Sequence, residues 1–300
     1  MSQIKYIVPQ SFDNALAKNF LKSYCGISST HWKKIKFTGN FSRNGEVIRC
    51  PARLVVKTGD VLTWDLEETS DIIGENIPLN IKYEDEYLLI VDKPAGILVH
   101  PTHGEITGTL ANAVMGYYEK LGLKIAFHPI HRLDRNTSGL ILIVKAPELH
   151  HRLAPRGKKL FMRKYFAIIE GNLKDNAGTI NLPIGRDETS IIKRMVREDG
   201  QDAVTHYEVI ENYEDYSLLK VTLETGRTHQ IRVHFAYLGH PLAGDDLYGG
   251  KRDKIARHAL HSCEIELTHP VSGEFVKVTS DIPYDMRRLV LLLSKENIEE

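Results

Sequence analysis

One polar loop in the sequence combines a carboxylate with two guanidinium groups, which are residue types that can take part in catalysis. Residues 128–146 read HPIHRLDRNTSGLILIVKA, which puts Asp134 between Arg132 and Arg135, just before a turn and a strongly apolar run. A carboxylate close to two guanidinium groups should stay ionised at neutral pH, and an ionised carboxylate suits a nucleophilic or electrostatic role. The plainer alternative is a surface salt bridge or an Asp-Asn turn, and an isolated D-R-N-T sequence would favour that alternative.

A second candidate segment reads ETGRTHQIRVHFAYLGHPLAGDDLYG. Apolar residues at i, i+4 and i+7 from Ile231 to Leu238 predict a helix that begins near Thr228, its expected N-cap, and buries this stripe. Arg232 then lies in the first turns, where the helix dipole disfavours a cation, and next to a core position. We therefore expect a carboxylate or phosphate partner, for which Asp134 is a candidate. Spacing alone is equally compatible with an arginine that extends to solvent.

Other chemistries fit the sequence poorly. GDDLYGGK superficially resembles a phosphate-binding loop, but its glycine spacing is one residue too long, and Asp245 and Asp246 would repel phosphate. Two His-x-x-His pairs, which begin at His100 and His128, are kept off a regular helix by the proline after each first histidine. Three scattered cysteines suit neither a disulfide framework nor a thiolate site. We expect no metal site.

Charge separates the chain into two unequal parts. The net charge of the 300 residues is zero, yet residues 1–60 contain ten Lys or Arg and three Asp or Glu, which makes this segment near +7 and the remainder near −7. A basic segment of this kind favours nucleic-acid binding, although a solvated surface is the simpler explanation.

The basic segment has its own predicted elements. Helical spacing of apolar residues predicts a first helix that runs from a cap at Ser11 or Asp13 through Leu21. Residues 29–39 predict a second short helix. The Asn-Gly pair in RNGEV predicts a hairpin, and ARLVVKTGDVLTW predicts a strand, a turn and a strand. The acidic stretch after Trp64 indicates a linker, so we predict domains at residues 1–70 and 81–300, joined by residues 71–80.

The larger part is predicted to be α+β. YLLIVDKP, LILIVKAP and KYFAIIEG each place a short apolar run before turn residues, SLLKVTLETG partly alternates, and helices are expected at residues 107–122 and 228–239. The strands outnumber the helices and lack a βαβ rhythm, which argues against a doubly wound sheet. No apolar run approaches the ~18 residues of a membrane span, and the first residues lack a secretory signal, so we expect a cytoplasmic protein without membrane association.

These motifs together carry a family resemblance. In chain order, VDKPAGILVHP, HRLDRNTSGL, KYFAIIEG, ETGRTHQIRVHFAYLGHPLAGDDLYG and HALHSCEIELTHP resemble the signature segments of the RluA family of pseudouridine synthases, over about residues 81–285. The N-terminal unit more weakly resembles the small RNA-binding domain of ribosomal small-subunit protein four, which many members of the family carry. It is divergent, since residues 12–14 (FDN) replace the usual basic opening and residues 29–31 (STH) stand where Ser-Arg is common.

The resemblance implies a fold and an activity. The expected fold is a central mixed, mostly antiparallel sheet flanked by helices, plus a small N-terminal α+β RNA-binding domain. The expected reaction is the isomerisation of specific uridines to pseudouridine in structured RNA, either large-subunit rRNA or tRNA, by base flipping and without a cofactor. We expect RNA as the partner, and a monomer.

The resemblance also implies roles for five residues. Asp134 matches the catalytic carboxylate, which either attacks the anomeric carbon or removes the neighbouring ribose proton. Tyr165 matches the tyrosine that stacks on the base and is implicated in removing the carbon-five proton. Arg232 matches the arginine that pairs with the aspartate. Arg132 matches the arginine that fills the space left by the flipped nucleotide, and Leu260 matches an apolar residue that packs on the base.

Two other classes of function remain open on the sequence. One is a catalytically silent RNA-binding or ribosome-assembly factor, against which the intact Asp134, Tyr165 and Arg232 argue. The other is a hydrolase of the same bond, such as a nucleosidase, which would need an activated water and acid clusters that the sequence does not resemble.

Overall fold

The computed structural model describes residues 5–27, 29–38, 40–64, 70–153 and 160–296. The strands are β1 (Tyr6–Ile7), β2 (Ser42–Arg43), β3 (Glu46–Val47), β4 (Val61–Thr63), β5 (Ile81–Glu84), β6 (Leu88–Lys93), β7 (His128–Pro129), β8 (Ser138–Val144), β9 (Phe161–Glu170), β10 (Ala177–Asn181), β11 (Ile184–Arg186), β12 (Arg194–Val196), β13 (Val204–Asn212), β14 (Tyr216–Leu223), β15 (Leu260–Thr268) and β16 (Phe275–Thr279). The α-helices are α1 (Ala17–Asn19), α2 (Ser29–Thr38), α3 (Leu110–Lys120), α4 (Pro147–Leu153), α5 (Gln230–Tyr237) and α6 (Tyr284–Glu296).

The N-terminal unit folds around a core of its own. Strands β1, β4, β2 and β3 form, in that order, a small antiparallel sheet. Trp64 stacks on Tyr6 with ring centroids 4.8 Å apart, and Phe41 stacks on the same indole. The predicted hairpin is confirmed, because Asn44 and Gly45 both have positive φ between β2 and β3, as a two-residue turn of this type requires. The predicted second helix is confirmed as α2, with residue 39 outside the described residues.

The first predicted helix is wrong in its first half. Neither Ser11 nor Asp13 caps a helix: residues 10–12 form a short 3-10 turn, and Leu16 is extended and bridges Val55. The helical backbone begins only at Ala17 and continues as a π-helix to residue 24. The Asp13 carboxylate instead accepts a hydrogen bond from the Thr58 amide at 2.8 Å, a tertiary contact that replaces the cap. Most of the strand predicted over residues 52–57 is likewise absent, because residues 51–53 form a 3-10 turn and Val55 makes a single bridge.

The larger unit is built on one extended sheet. Its strand order is β10-β13-β14-β9-β15-β8-β6-β5, with β16 also paired to β15 and β7 to β8. Of the described pairings, only β15 with β8 is parallel, which confirms the predicted mixed, mostly antiparallel sheet. The four apolar segments predicted as strands are β6, β8, β9 and β14, and the two predicted helices are α3 and α5.

Helices cover both faces of this sheet, and the alternation of side chains along each strand explains the continuous apolar runs. On β6, Leu89 and Val91 pack in one cluster with α3 and α5, whereas Leu88 and Ile90 pack in another with α4. Helix α6 packs against the same sheet in a third hydrophobic cluster, which includes Ile168 of β9. In the part of the chain that the structure describes, none of the helices is long and apolar enough to span a membrane.

The segment predicted as a linker packs against α3. The Glu75 amide donates to the Asn112 carbonyl at 2.9 Å, and the Asn112 side-chain amide donates to the Ile73 carbonyl at 2.9 Å. A Cβ on Gly116 would lie 2.2 Å from the Glu75 carbonyl oxygen, so glycine is required for this close approach. Residues 70–80 contain no helix or strand, and the domain division at this segment stays a prediction.

Candidate active site

Three neighbouring strands bring the predicted site residues together. Asp134 lies in the loop that leads into β8, Leu260 is the first residue of β15, and Tyr165 lies on β9. The order β9-β15-β8 makes these strands adjacent, and Tyr165 is directly opposite Ser262 in the sheet register. The parallel pairing of β8 with β15 therefore places the Asp134 loop next to the start of β15, although more than 120 residues separate the two in sequence.

The turn after Asp134 is braced by polar groups just before and at the start of β15. The Thr137 hydroxyl bonds His258 Nε2 at 2.8 Å, and the Ser138 hydroxyl bonds His261 Nδ1 at 2.9 Å. The guanidinium group of Arg257 donates to the Asn136 carbonyl at 3.0 Å and to the Ser138 hydroxyl at 3.2 Å. Side-chain bonds on consecutive loop residues hold the backbone that carries Asp134 in one conformation.

A buried lysine braces the other side of the same loop. Lys93 is fully buried at the end of β6, and its ammonium group donates to the carbonyls of Pro94, Ile97 and Arg135 at 2.8–3.0 Å. Burial, and then the charge of Arg257, lower the pKa of Lys93 to about 7. The sequence motif VDKP contained this residue, but nothing in its pattern indicated that the lysine points inward.

Arg232 is the charged partner of Asp134. It lies in the first turn of α5, is 6% exposed, and donates from Nη1 to Asp134 Oδ2 at 3.1 Å. Its Nε and Nη2 donate to the two oxygens of the fully buried Asp245, each at 2.7 Å. Burial alone would lower the pKa of Arg232, but Asp245 and then Asp134 raise it above its ordinary value. The predicted pairing of Arg232 with a carboxylate is thus present, with Asp245 as an additional partner.

The two arginines next to Asp134 in sequence do not provide its ion pair. Arg135 turns away and forms a two-pronged ion pair with Glu105, at 3.1 and 2.5 Å. Arg132 is exposed and lines the cavity beside Asp134. The expectation that both flanking guanidinium groups pair with the carboxylate was therefore wrong, because Arg135 turns away to Glu105 and the ion-pair partner of Asp134 is Arg232.

Helix α5 begins one residue later than predicted. Its N-cap is His229, which has φ of 59° and makes no side-chain cap bond to the helix, so Thr228 as the cap was wrong. Ile231 and Phe235 are buried as predicted, whereas Leu238 is 40% exposed because the helix ends at Tyr237 and the chain turns away from the core.

Tyr165 and Leu260 lie in the wall of the same cavity. Tyr165 is 3% exposed, and burial raises the pKa of its hydroxyl, so the phenol stays protonated at neutral pH. Leu260 is 5% exposed. All five residues predicted for the site, Arg132, Asp134, Tyr165, Arg232 and Leu260, line one cavity.

The cavity has the size and lining expected of a nucleotide site. Its volume is about 550 Å³, within the usual range for small-molecule pockets. Its apolar wall is formed by Ile130, Leu133, Leu153, Phe161, Leu223, Ile231 and Leu260. Its polar lining includes the arginines Arg132, Arg163 and Arg227 together with the Asp134–Arg232 pair. Such a site can exclude water from a flat, apolar-faced base and attract a phosphate group at its edge.

Sequence reasoning missed several contributors to the site. Asp245 was considered only as a residue that would repel phosphate, although the argument that Arg232 needs a carboxylate could have found it thirteen residues along the same motif. His229 and Tyr248 also lie at the site, since His229 Nε2 is 3.7 Å from Asp134 Oδ2 and Nδ1 is 2.8 Å from the Tyr248 hydroxyl. The spacing of apolar residues could not indicate these two residues as part of the site, because His229 is the N-cap of α5 and Tyr248 ends a 3-10 turn.

Comparison with known proteins identifies the family of the chain. A model of the RNA pseudouridylate synthase family matches residues 87–237. The protein named RNA pseudouridine synthase YjbO, from Bacillus subtilis, is 40% identical over 270 residues, which cover 88% of this chain and 95% of that protein. The ribosomal large subunit pseudouridine synthase D of Xanthomonas campestris is 36% identical over 313 residues, which cover 97% of this chain and 92% of that protein. Among solved structures, human RNA pseudouridylate synthase domain containing 1 is similar, with a TM-score of 0.58 and 26% identity over 70% of this chain and 86% of that one.

The chain belongs to the RNA pseudouridylate synthase family. It is accordingly an isomerase that acts on RNA and converts uridine to pseudouridine.

Proposed function

We propose that this enzyme modifies specific uridines of large-subunit ribosomal RNA or transfer RNA, with Asp134 as its catalytic carboxylate. The observation that carries the proposal is the contact between Asp134 Oδ2 and the buried guanidinium of Arg232, at 3.1 Å, inside a cavity with a largely apolar wall. The relatives named as ribosomal large subunit pseudouridine synthases support the ribosomal target.

The chemistry assigned to Asp134 begins with cleavage of the bond between uracil N1 and ribose C1′. The carboxylate either attacks C1′, forming an ester-like bond as uracil leaves with the bond electrons, or removes the C2′ proton to give a glycal. In either route the uracil anion turns in the cavity. In the first, carbon five bonds C1′ as the ester-like bond to Asp134 breaks and frees the carboxylate; in the second, carbon five bonds C1′ as Asp134 returns the proton to C2′. The carbon-five proton is then lost and N1 gains one, so the reaction is a net isomerisation. Arg232 stabilises the ionised carboxylate, which is the form that both routes need.

Tyr165 and Leu260 are proposed to hold the uracil base. Both side chains are almost fully buried, and an aromatic ring and an aliphatic side chain offer the flat and apolar contacts on which a detached base can turn. Because its phenol is protonated at neutral pH, Tyr165 can accept the carbon-five proton only as its own hydroxyl proton leaves.

Arg132 is proposed to occupy the position in the RNA that the flipped nucleotide leaves. It is exposed at the cavity beside Asp134, where its planar guanidinium can stack on neighbouring bases. Flipping costs a few kcal/mol, most of it in lost stacking, and a stacked arginine offsets part of that cost.

The N-terminal unit is proposed to hold the RNA backbone, as a basic domain at residues 1–70 ahead of the catalytic domain at residues 81–300. Its charge near +7 supports this role. We also propose that the enzyme acts as a monomer in the cytoplasm, where its RNA targets are.

The role of Asp134 is tested by the substitution Asp134→Asn, which keeps the shape of the side chain and removes its charge. Tritium release from a carbon-five-tritiated transcript of large-subunit rRNA measures turnover. We expect residual turnover below about one percent of the wild-type rate, since loss of an essential catalytic group commonly costs far more than that. Asp246→Asn is the matched control, because Asp246 is 58% exposed and pairs with Arg252 at the surface. Appreciable turnover by Asp134→Asn would refute the assignment.

The target RNA is identified by mapping pseudouridines in total RNA from a strain that lacks the gene. Sites that disappear, return with the wild-type gene and do not return with Asp134→Asn are the substrates. Loss confined to large-subunit rRNA or to transfer RNA decides between the two proposed targets, and loss in neither would contradict the proposal.

A further inference from the structure

His229 approaches the proposed catalytic carboxylate from the start of α5. Its side chain is 10% exposed, and its Nε2 lies 3.7 Å from Asp134 Oδ2, the same oxygen to which Arg232 Nη1 donates. The backbone at His229 is left-handed, with φ of 59°, and the side chain makes no cap bond to the helix. Non-glycine residues seldom adopt a left-handed backbone, and when they do they often lie at functional sites.

The hydrogen bonds of Tyr248 favour one tautomer of the His229 ring. The Tyr248 hydroxyl accepts a hydrogen bond from the backbone amide of Arg194 at 2.9 Å and lies 2.8 Å from His229 Nδ1. A phenol has a single hydrogen to donate, and with the Arg194 amide already donating to its oxygen, we assign that hydrogen to Nδ1. The proton of the neutral imidazole is then on Nε2, the nitrogen that faces Asp134.

The surroundings of His229 favour this neutral form. Burial lowers the pKa of His229 below its ordinary value; Asp134 and Asp245 oppose the effect, and Arg232 and Arg194 add to it. Tyr248 supports the site in a second way, because its ring centroid lies 5.0 Å from the guanidinium carbon of Arg232. The same tyrosine therefore contacts both groups that approach Asp134.

Both described contacts to the Asp134 carboxylate are to Oδ2. A carboxylate held through one oxygen by one donor can still rotate about its last side-chain torsion, which has a broad preference. A second donor that reaches the same oxygen from another direction would restrict that rotation and leave Oδ1 to react.

We propose that His229 is a positioning residue for Asp134, which uses an Nε2–H tautomer imposed by Tyr248 to hold Oδ2 together with Arg232 and to leave Oδ1 as the oxygen that reacts with the ribose. The proposal rests on the catalytic role proposed for Asp134. The 3.7 Å separation is longer than a normal hydrogen bond, and contacts of this kind commonly shorten when the substrate is bound.

The tautomer is measured without any reference to activity. In protein labelled with nitrogen-15 histidine, long-range proton–nitrogen correlation spectra distinguish the two neutral tautomers and the imidazolium, and the His229 signals are those missing from His229→Gln. We expect a neutral ring protonated on Nε2 at pH 7, and a mixture of tautomers in Tyr248→Phe. An Nδ1–H tautomer or an imidazolium in the wild-type protein would overturn the proposal.

A matched pair of substitutions then separates positioning from a purely structural role. Asparagine accepts the left-handed backbone at residue 229 more readily than glutamine does, but only glutamine is long enough to place an amide N–H near the Nε2 position. If His229 positions Asp134, His229→Gln should keep a kcat at least fivefold higher than that of His229→Asn, with KM little changed in both. If His229 is needed only for the backbone, His229→Asn should match or exceed His229→Gln, and the proposal fails.

Two controls make this result specific. Thermal unfolding of both variants establishes that they are folded at the assay temperature, and their kcat values are compared on the same tritiated rRNA transcript. Turnover by Asp134→Asn reports on the proposed function alone. An inactive Asp134→Asn together with equal kcat values for His229→Gln and His229→Asn would reject the role of His229 and leave that of Asp134 standing.

Discussion

Arg232 carries one positive charge and contacts two carboxylates, Asp134 and Asp245. Its position in the site depends on both contacts. Asp245 is fully buried and bonded to two nitrogens of the guanidinium, so it determines where the third nitrogen points. A two-pronged pair of this kind is geometrically specific, and a lysine at position 232 could not reproduce it.

Loss of the charge on Asp245 should destabilise the whole protein. Asp245→Asn leaves the buried guanidinium with a neutral partner that accepts through one oxygen, and breaking a buried ion pair costs about 3–5 kcal/mol. We expect the free energy of unfolding, from urea titration, to fall by about 3 kcal/mol, with Asp246→Asn within about 0.5 kcal/mol of wild type as the control. Equal stability of the two variants would mean that Asp245 is dispensable for holding Arg232.

The hydroxyl of Tyr165 should matter for turnover and little for binding. Tyr165→Phe keeps the ring that is proposed to contact the base and removes the group proposed to accept the carbon-five proton. Loss of an acid–base group typically costs about 10²- to 10⁴-fold in rate, so we expect a fall in kcat of that order with little change in KM. If Tyr165→Phe kept a nearly wild-type kcat, the hydroxyl would have no role in proton transfer, and Tyr165 would act only by stacking on the base.

At the residue scale, the sequence predicted the partner of Arg232 better than the partners of Asp134. The helix-dipole argument depends only on position within a helix, and it correctly required a carboxylate next to Arg232. The expectation for Arg132 and Arg135 failed because proximity in sequence within a loop does not determine where each side chain points. The roles assigned to Tyr165 and Leu260 came from the family resemblance, and no local pattern would have produced them.

At the scale of elements, the pairing of β8 with β15 is what assembles the site. Gly139 has φ of 109°, and a Cβ there would lie 2.2 Å from the Ser262 carbonyl oxygen, so the glycine after Ser138 is required by the approach of β15. The apolar runs correctly predicted β6, β8, β9 and β14, but not β15. Their order could not be predicted from those runs, because strands buried on both faces are nearly interchangeable in pattern.

The histidines that brace the Asp134 loop should make the fold sensitive to acid. Burial, opposed by Asp92, lowers the pKa of His261 to about 4, and burial together with Arg232 lowers that of His258 to about 2, both from an ordinary value of 6.5. Between pH 6.5 and 4 the unfolded chain therefore binds more protons than the folded protein does. Stability should fall as the pH falls through this window, by up to about 1.4 kcal/mol per pH unit for each histidine.

Substitution of one of these histidines tests this dependence. His261→Gln removes a titrating group, so its free energy of unfolding should change less steeply than that of the wild type between pH 6.5 and 4, whatever its stability at neutral pH. The exposed His103 provides the control His103→Gln, whose slope should match the wild type. Identical slopes for all three proteins would show that His261 does not contribute to the acid sensitivity.

At the scale of the whole molecule, a net charge of zero hides an uneven distribution of charge along the chain. The N-terminal segment is near +7 and the remainder near −7, so the excess of positive charge is concentrated at one end of the chain. The catalytic cavity adds only a local group of arginines, Arg132, Arg163 and Arg227, at its lining. The net charge of zero, taken alone, argues against an RNA-binding protein. The excess of positive charge in residues 1–60 removes that objection.

If the N-terminal unit anchors the RNA, the salt dependence of binding should depend on its lysines. Helix α2 carries Lys33, Lys34 and Lys36, and their replacement by glutamine in the full-length protein removes three positive charges from a helix whose backbone need not change. Log K falls linearly with log salt, and each lost phosphate contact reduces the steepness of that fall by about 0.7 to 0.9. We therefore expect the slope for binding of the rRNA transcript to become less negative by about two to three.

The matched control removes three exposed charges from the larger unit, through glutamine at Lys174, Lys251 and Arg288. Both triple variants have the same net charge, so a general electrostatic effect would flatten their slopes equally, whereas an RNA anchor in the N-terminal unit affects the α2 variant far more. Turnover at saturating enzyme should be retained in the α2 variant, because α2 contributes no residue to the cavity lining. An unchanged slope in the α2 variant would mean that α2 does not hold the RNA backbone, and the excess of positive charge there would then be only a solvated surface.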